Sequence, residues 1–277
     1  MEQLPRLKAR ISSLEELRDL VRALRVMAGS RVQEAQGALA GIRRYVEVVE
    51  RAIAENAALL TGDSGPSRNE GAGQDVLIVV TSEQGFTGSF NDRLIDRATQ
   101  ELKPNQRLAI IGRRGMVLAK DNHLKVDWHV PMATHIGGVP GIARRVTDHL
   151  ADITAARVAF AAYEPGGQYD VVVRDILPLD PALLKGMGVV QPPLHQLDPY
   201  VLLARLSGEY LFAEVTRAIM ESLASENGAR LQVMSAADHN IGDKLETLGR
   251  QRNHLRQEAI TAELLDVVTG AEAVSGS

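Results

Sequence analysis

The sequence predicts an α/β domain flanked by two long helices that pair as an antiparallel coiled coil. Three observations lead to this fold class. All prolines except Pro5 lie between Pro66 and Pro199, and proline costs a helix interior about 3 kcal/mol, so both flanks are free to be helical. Apolar residues in both flanks recur at intervals of three and four residues. The segment between the flanks alternates β-branched apolar runs with helical segments.

The first flank, residues 1–60, is predicted to be a single coiled-coil helix. Its apolar residues form two columns of seven-residue spacing, sustained for about seven heptads, which is typical of a coiled-coil seam. Arg18 and Arg25 interrupt the second column. The two columns are Leu7, Leu14, Val21, Ala28, Ala35, Ile42 and Val49, and Leu4, Ile11, Val32, Leu39, Val46 and Ile53.

The second flank, residues 198–277, is predicted to pair with the first. Asp198 followed by Pro199 is typical of a helix start, with an N-cap and proline at the first helical position. Glycines inside the helix favour either close backbone approach or a bend, and the tail from Gly270 is expected to fray. The predicted seam is Leu203, Leu206, Tyr210, Ala213, Leu231, Met234, Ile241, Leu245, Leu248, Leu255, Ala259 and Ala262. The helix glycines are Gly208, Gly228, Gly242 and Gly249.

The central part is predicted to consist of a turn-rich linker, residues 61–74, and a Rossmann-like α/β domain, residues 75–197. Four apolar runs indicate strands at 76–80, 107–112, 157–163 and 170–176. Helical segments fall between them near 88–102, 114–120 and 141–153. This alternation favours a mostly parallel sheet.

Composition excludes several classes of protein. The 277 residues carry a net charge of −4, whereas a nucleic-acid binder normally presents a basic face. The absence of cysteine removes disulfides, thiolate metal sites and cysteine nucleophiles, and is compatible with a reducing cytoplasm. No apolar stretch is long enough to span a bilayer, and no signal or transit segment is evident at the N-terminus.

One segment is similar to a phosphate-binding turn. Thr81 to Asn91 (TSEQGFTGSFN) follows the first predicted strand and opens a helix, the place where phosphates bind in nucleotide folds. It lacks both the P-loop lysine motif and G-x-G-x-x-G, so a structural turn or a protein contact is favoured over phosphate binding. Gly112 to Gly115 (GRRG) is a second such turn, and its two arginines are interpreted as solvated surface charge in preference to an anion site.

The sequence contains no pattern that is typical of a catalytic site or a metal site. The seven histidines show no metal-ligand spacing and are interpreted as ordinary surface or core residues. Ser82 and Ser89 lack the G-x-S-x-G elbow of hydrolases. We therefore expect no catalytic residue, no cofactor and no metal ion.

A polar cluster lies near the end of the second helix. Its members are Arg256, Gln257, Thr261 and Glu263, all within three turns of a segment that is expected to pack. Spacing alone leaves two interpretations equally open: an ordinary solvated face, or hydrogen-bonding contacts to an enclosing partner.

The motifs in and around this cluster resemble the gamma subunit of F-type ATP synthase. The resemblance rests on Glu221 to Leu231 (ESLASENGARL), the N-x-x-R-Q-x-x-I-T-x-E-L pattern from Asn253 and the GAEAV stretch from Gly270. It extends to K-x-R-I-x-S from Lys8 and to the glycine turns of the central domain. The turn after the first strand departs from the family pattern, which fits a divergent bacterial member, with an alternative or sodium-translocating complex as one option.

The resemblance implies a rotor of the central stalk, without catalytic activity of its own. Its expected partners are a ring of alpha and beta subunits, the epsilon subunit and the membrane c-ring, at the cytoplasmic face of the bacterial inner membrane. Ring contacts are expected at Arg256, Gln257, Thr261, Glu263 and Met27. Contacts of the α/β domain at the foot of the stalk are expected around the turn that contains Gly85, Gly88 and Asn91.

Two other interpretations stay open from the residues alone. The first is a nucleotide- or small-molecule-binding α/β protein that uses its helices to dimerise. The second is a coiled-coil scaffold unrelated to ATPases.

Overall fold

The computed structural model describes residues 3–57, 75–164, 166–184 and 196–275. The chain forms two compact units, one of residues 28–230 and one of residues 1–27 together with 231–277. The predicted linker, residues 61–74, and His195 lie outside the described residues.

Both flanks are helical, as predicted. Helix α1 spans Gln3–Ala57, and the last long helix, α6, spans Pro199–Ser275. The Asp198 carboxylate accepts hydrogen bonds from the backbone N–H groups of Tyr200 and Val201 at 2.9 and 3.3 Å, which confirms the N-cap. The prediction of a frayed tail from Gly270 is wrong as far as Ser275, because α6 continues to that residue.

The two helices run antiparallel within each unit. In the larger unit, Asn56 donates a hydrogen bond to the Pro199 carbonyl at 3.0 Å, and Tyr45 bonds to Glu209. In the smaller unit, a groove has Gln3 and Leu7 on one wall and His254 and Leu255 on the other. The end of α1 therefore lies beside the start of α6, and the start of α1 lies beside residues 250–258 of α6.

The predicted seam of α1 is confirmed by burial. Its buried members are Ile11, Val21, Ala28, Val32, Ala35, Leu39, Val46, Val49 and Ile53. The seam of α6 is confirmed less fully, because Ala259 and Ala262 are exposed. Residues 3–10 of α1 oppose residues 250–258, and the described part of α1 offers nothing to cover α6 beyond them.

The central domain is a five-stranded sheet of order β3-β2-β1-β4-β5. The strands are β1 Asp75–Val80, β2 Arg107–Ile111, β3 Val126–Val130, β4 Ala155–Glu164 and β5 Gln168–Leu177. The helices are α2 Phe90–Glu101, α3 Arg113–Asp121, α4 Val139–His149 and α5 Pro181–Leu184, with a short 3-10 helix at Ile136–Gly138. Strands β1 to β4 pair in parallel, and only β5 pairs antiparallel, so the mostly parallel sheet is confirmed.

Strand β3 was missing from the sequence prediction. Its residues (VDWHV) alternate between partly buried and exposed positions, because β3 lies at the edge of the sheet and pairs with β2 alone. A search for continuous apolar runs detects central strands that are buried on both faces. Such a search misses an edge strand in which two of the five residues are charged or polar.

Helices cover both faces of the sheet. One face packs against α4, α6 and α1, and its buried cluster includes Ile78, Val158 and Phe160. The other face packs against α2 and α3 through Phe90, Leu94 and Ala119. The larger unit is thus three-layered, with α6 lying directly on the sheet.

A buried polar stretch of α6 lies on the sheet. Every residue from Ala218 to Arg230 is buried, although this stretch carries two glutamates, two serines, an asparagine and an arginine. Ser222 donates to the carbonyl of Val80 at 3.1 Å, and Ser225 donates to that of Ala161 at 3.0 Å. Buried polar groups need such partners, so this motif joins α6 to strands β1 and β4.

Arginines neutralise the buried carboxylates that precede the serines. Glu214 is 2% exposed and lies 3.4 Å from Arg174 of β5 and 3.5 Å from Arg217. Glu221 accepts from Arg43 of α1 and from Arg217, both at 3.2 Å. Because each carboxylate has cations from more than one element, the network ties α1 and β5 to α6.

Three arginines of α1 converge on one carboxylate of α6 in the smaller unit. Arg18, Arg22 and Arg25 donate to Asp238 at 2.9, 3.2 and 3.0 Å. Gly242 leaves room for this contact, since an added Cβ would lie 3.2 Å from the Arg18 Nη2. The two arginines that interrupt the predicted seam are therefore half of an ion-pair cluster. The Arg18 hydrogen bond, together with the charges of Arg22 and Arg18, lowers the pKa of Asp238 below its usual value.

Gly228 is expected to be required for the approach of α6 to the β4–β5 turn. An added Cβ would lie 3.1 Å from the Gly167 Cα and 3.2 Å from its carbonyl oxygen, whereas at Gly208 it would meet nothing within 4 Å. We expect Gly208→Ala to gain up to about 1 kcal/mol from helix propensity. Because of overpacking, the free energy of unfolding of Gly228→Ala should be about 1–3 kcal/mol lower than that of Gly208→Ala. Urea unfolding of both variants measures this difference, and equal gains would contradict the close approach.

Asp238 is expected to stabilise the smaller unit in a pH-dependent way. Because its folded pKa is lowered, its contribution is present above the unfolded value of 3.8 and is lost as the pH falls through the folded value. Asp238→Asn should therefore have a lower free energy of unfolding than wild type at pH 7. This difference should become smaller below pH 3.8 and with added salt. The control is Asp243→Asn, a change of a side chain 67% exposed on the same helix. Equal stability of the two variants at pH 7 would refute this role.

Candidate partner-binding surfaces

The turn after β1 is held by its own side chains. Asn91 is 5% exposed; its Oδ1 accepts from the Ser82 N–H at 2.9 Å, and its Nδ2 donates to the Ser82 and Thr87 hydroxyls at 2.9 and 3.2 Å. Gly88 has φ 58°, a backbone conformation that glycine adopts without steric cost. Of the three predicted foot residues, Asn91 therefore faces inward, while Gly88 is exposed and Gly85 partly so.

The carboxylate of Glu83 lies at the N-terminus of α3. Its Oε2 accepts from the backbone N–H of Arg113, the first residue of α3, at 3.1 Å and from that of Met132 at 3.0 Å. The Arg113 guanidinium lies 3.2 Å from the other carboxylate oxygen. A helix N-terminus attracts an anion, and here the chain supplies its own.

The two glycine turns interlock at Thr81. Its hydroxyl donates to the Ile111 carbonyl at 2.7 Å and accepts from the Gly115 N–H at 3.2 Å. Gly112 has φ 104°, and a Cβ there would lie 2.7 Å from the Thr81 hydroxyl. Gly112 and Gly115 of the second turn thus allow close packing between β1 and α3, and the interpretation as structural turns fits these contacts.

A buried ion pair on α6 supports the same turn from beneath. Arg230 donates to the carbonyls of Gly85 and Gln84 at 3.2 and 3.4 Å and to Glu226 at 2.6 Å. Burial, opposed by the charge and hydrogen bond of Arg230, raises the pKa of Glu226 to about 7. In the sequence these two residues stand out only as part of a family motif, because nothing in their spacing says that a charged pair is buried.

The outer surface of the turn is partly apolar. Phe86 is 68% exposed and has φ 63°, an uncommon conformation for a residue with a side chain. Val117 of α3 is 48% exposed. Both border a cavity of about 210 Å³ that Gly85, Gly88 and Asn91 also line, so the predicted foot residues do lie together.

The predicted polar cluster of α6 is fully on the surface. Every side chain from Arg256 to Leu265 is exposed. The Thr261 hydroxyl donates to the Gln257 carbonyl at 2.9 Å, a bond within the helix. Arg256, Gln257 and Glu263 project from the same three turns.

Apolar side chains share this exposed end. Ile260 is 46% exposed, Leu264 61%, Val267 69% and Val268 55%. Their spacing of four, three and one puts them on adjoining faces of the helix. The sequence analysis singled out the polar members alone and assigned these four apolar residues neither to the coiled-coil seam nor to the cluster.

Met27 lies elsewhere on the helix pair. It is 48% exposed and follows Val26, which is 68% exposed. The polar cluster begins beside residues 3–10 of α1, and at 1.5 Å per residue Met27 is about 30 Å further along α1 than Leu7. The structure therefore does not bring Met27 and the cluster together.

Neither metal nor membrane chemistry is indicated in the described part of the chain. Among the described residues, no group of three or more histidines, aspartates and glutamates is arranged to hold a metal ion. Within the same ranges, no helix has both the length and the apolar character to cross a membrane.

Comparison with known proteins identifies the family. The ATP synthase family profile matches residues 3–274. The ATP synthase gamma chain of Dinoroseobacter shibae is 30% identical over 300 residues, which cover 99% of this chain and 100% of that protein. The gamma chain of Geobacter metallireducens is 25% identical over 288 residues, the full length of both.

Solved structures share the fold. A chain of the rotor of the Euglena gracilis mitochondrial ATP synthase superposes with a TM-score of 0.67 at 12% identity, covering 93% of this chain and 98% of that one. A chain of the OSCP/F1/c-ring assembly from the same organism gives a TM-score of 0.66 at 14% identity, with coverage of 98% and 94%. The family resemblance drawn from the motifs is confirmed: the chain belongs to the gamma-subunit family of ATP synthase.

Proposed function

We propose that this chain is the central-stalk rotor of a rotary F-type ATP synthase, coupling ion flow through the membrane sector to conformational change in the catalytic alpha/beta ring. The observation that carries the proposal is the exposed end of α6. There, Ile260 and Leu264 stand exposed beside Arg256 and Gln257. Apolar side chains grouped on a surface and bordered by polar ones are typical of an interface.

A rotor of this kind acts by differential binding. Arg256, Gln257, Thr261 and Glu263 bind the inner surface of the ring, and Met27 contacts the ring at another level of the helix pair. An asymmetric helix pair presents different contacts to each of three equivalent catalytic subunits. Each subunit is then biased toward the conformation that its contacts favour.

The α/β domain supplies the other end of the coupling. The surface that contains Gly85, Gly88 and Phe86 faces the epsilon subunit and the c-ring. Catalysis belongs to the ring, so this subunit is non-catalytic and lies peripherally at the cytoplasmic face of the bacterial inner membrane. The rival interpretation as a nucleotide-binding protein is disfavoured because the chain matches ATP synthase gamma chains over its full length.

Removing the polar members of the cluster is expected to weaken coupling without unfolding the chain. We expect Arg256→Ala and Gln257→Ala each to change the free energy of unfolding by less than about 0.5 kcal/mol, because exposed positions contribute little. ATP-driven ion pumping by the reconstituted complex should fall several-fold. The matched control is Lys244→Ala, an exposed change three turns earlier on α6. Full pumping in both variants would remove these residues from the interface.

A crosslink tests the interface directly, and the lack of native cysteine makes the experiment clean. Thr261→Cys carrying a benzophenone maleimide should label an alpha or beta subunit of the assembled complex. Thr99→Cys on α2 is the control, because Thr99 is also exposed and its hydroxyl bonds the carbonyl four residues earlier, at 2.8 Å. Failure of Thr261→Cys to label the ring, or equal labelling from both positions, counts against the proposal.

A further inference from the structure

Glu226 is a buried carboxylate with one oxygen unused. It is 4% exposed, and its Oε1 accepts from Arg230 at 2.6 Å. Its Oε2 has no hydrogen-bond partner among the described residues. A buried acceptor without a partner is costly, and a proton on that oxygen removes the charge that makes it so.

Arg230 connects this carboxylate to the turn after β1. One guanidinium reaches three groups besides Glu226: the Asn227 side chain at 3.1 Å, the Gly85 carbonyl at 3.2 Å and the Gln84 carbonyl at 3.4 Å. The next residue, Phe86, has φ 63° and is 68% exposed. Arg230 thus fixes the backbone that orients an exposed aromatic ring.

Three elements present charges to Glu226. Arg230 lies on α6 itself, Arg31 on α1 and Glu83 in the turn. Burial raises the pKa of Glu226, the charge and hydrogen bond of Arg230 lower it, Arg31 lowers it, and Glu83 raises it. If Arg230 moves away, its charge and hydrogen bond no longer lower the pKa of Glu226, while burial still raises it. Glu226 therefore binds its proton more tightly when Arg230 has moved away. By linkage, protonation favours release of Arg230.

We infer that Glu226 and Arg230 form a proton-linked latch that controls the conformation of the exposed Gln84–Phe86 turn. With Glu226 ionised, Arg230 is held beneath the turn and bonds both of its carbonyls. With Glu226 neutral, the buried guanidinium loses its nearest counter-charge, moves toward water and releases Gln84 and Gly85. The turn therefore reports the proton occupancy of a carboxylate that solvent does not reach.

Two signals from the full-length chain test the coupling. The chain has four phenylalanines, so labelling with 4-fluorophenylalanine gives four fluorine resonances, and Phe86→Leu assigns that of Phe86. The side-chain carboxyl carbon resonance of Glu226, assigned with Glu226→Gln, follows the proton. In wild type we expect both signals to titrate together, with a midpoint near pH 7. A Phe86 signal that stays constant while Glu226 titrates overturns the latch.

Two variants fix its direction. Glu226→Gln should hold the Phe86 signal at the wild-type acid limit at every pH, and Arg230→Gln should do the same while raising the Glu226 midpoint. Glu221→Gln is the control, because that carboxylate lies on the same helix as Glu226 but bonds Arg43 of α1 and Arg217. This change should leave both signals as in wild type. Titration of Phe86 that persists in Glu226→Gln, or a lower Glu226 midpoint in Arg230→Gln, contradicts the mechanism. The wild-type comparison decides the question even if Arg230→Gln does not fold.

Discussion

The larger unit depends on how a polar helix is buried. Residues 218–230 of α6 are enclosed completely, and a helix whose serines, glutamates and arginine lose water needs a partner for nearly every polar group. The partners come from three directions: strand carbonyls for Ser222 and Ser225, Arg43 of α1 for Glu221, and turn carbonyls for Arg230. Because these partners lie at fixed places on the sheet and on α1, α6 has one axial position and one rotation. An aliphatic helix of the same length would pack as tightly but could slide.

The same need for partners acts at the carboxyl ends of the strands, where many α/β folds have nucleotide sites. The carboxyl ends of parallel strands and the helix N-termini beside them usually form such sites. In this chain, Glu83 caps α3, Thr81 fills the space against Gly112 and Gly115, and Asn91 joins both ends of the first turn. At the N-terminus of α3, the backbone N–H groups of Arg113, Arg114 and Gly115 thus already have acceptors within the protein. The side chains at the carboxyl ends of the strands therefore hold the surface turn after β1 in place.

Periodicity made the helices and most strands predictable from the sequence, whereas long-range pairing of side chains was not predictable. Heptads located the α1 seam almost residue by residue, and continuous apolar runs located four of the five strands. Arg18 and Arg25 were read as interruptions because their partner, Asp238, lies 220 and 213 residues away, and spacing carries no information about such a contact. Asn91 was expected at a partner surface, yet it is buried; its side chain has the right chemistry for either place. The burial of the Glu226–Arg230 pair was not predictable either, because i,i+4 ion pairs are common on solvated helices.

The surface of α6 changes character along its length, and this gradient bears on function. Residues 218–230 are buried all round, residues 231–255 are buried on one side, and residues 256–265 are exposed throughout. A helix that served only to hold this chain together would become polar where its intramolecular partners end. Here Ile260 and Leu264 persist, at a cost in water of up to about 25 cal/mol per Å² of exposed apolar area. Selection for folding alone does not keep such residues, so their presence favours a partner that covers them in the assembled machine.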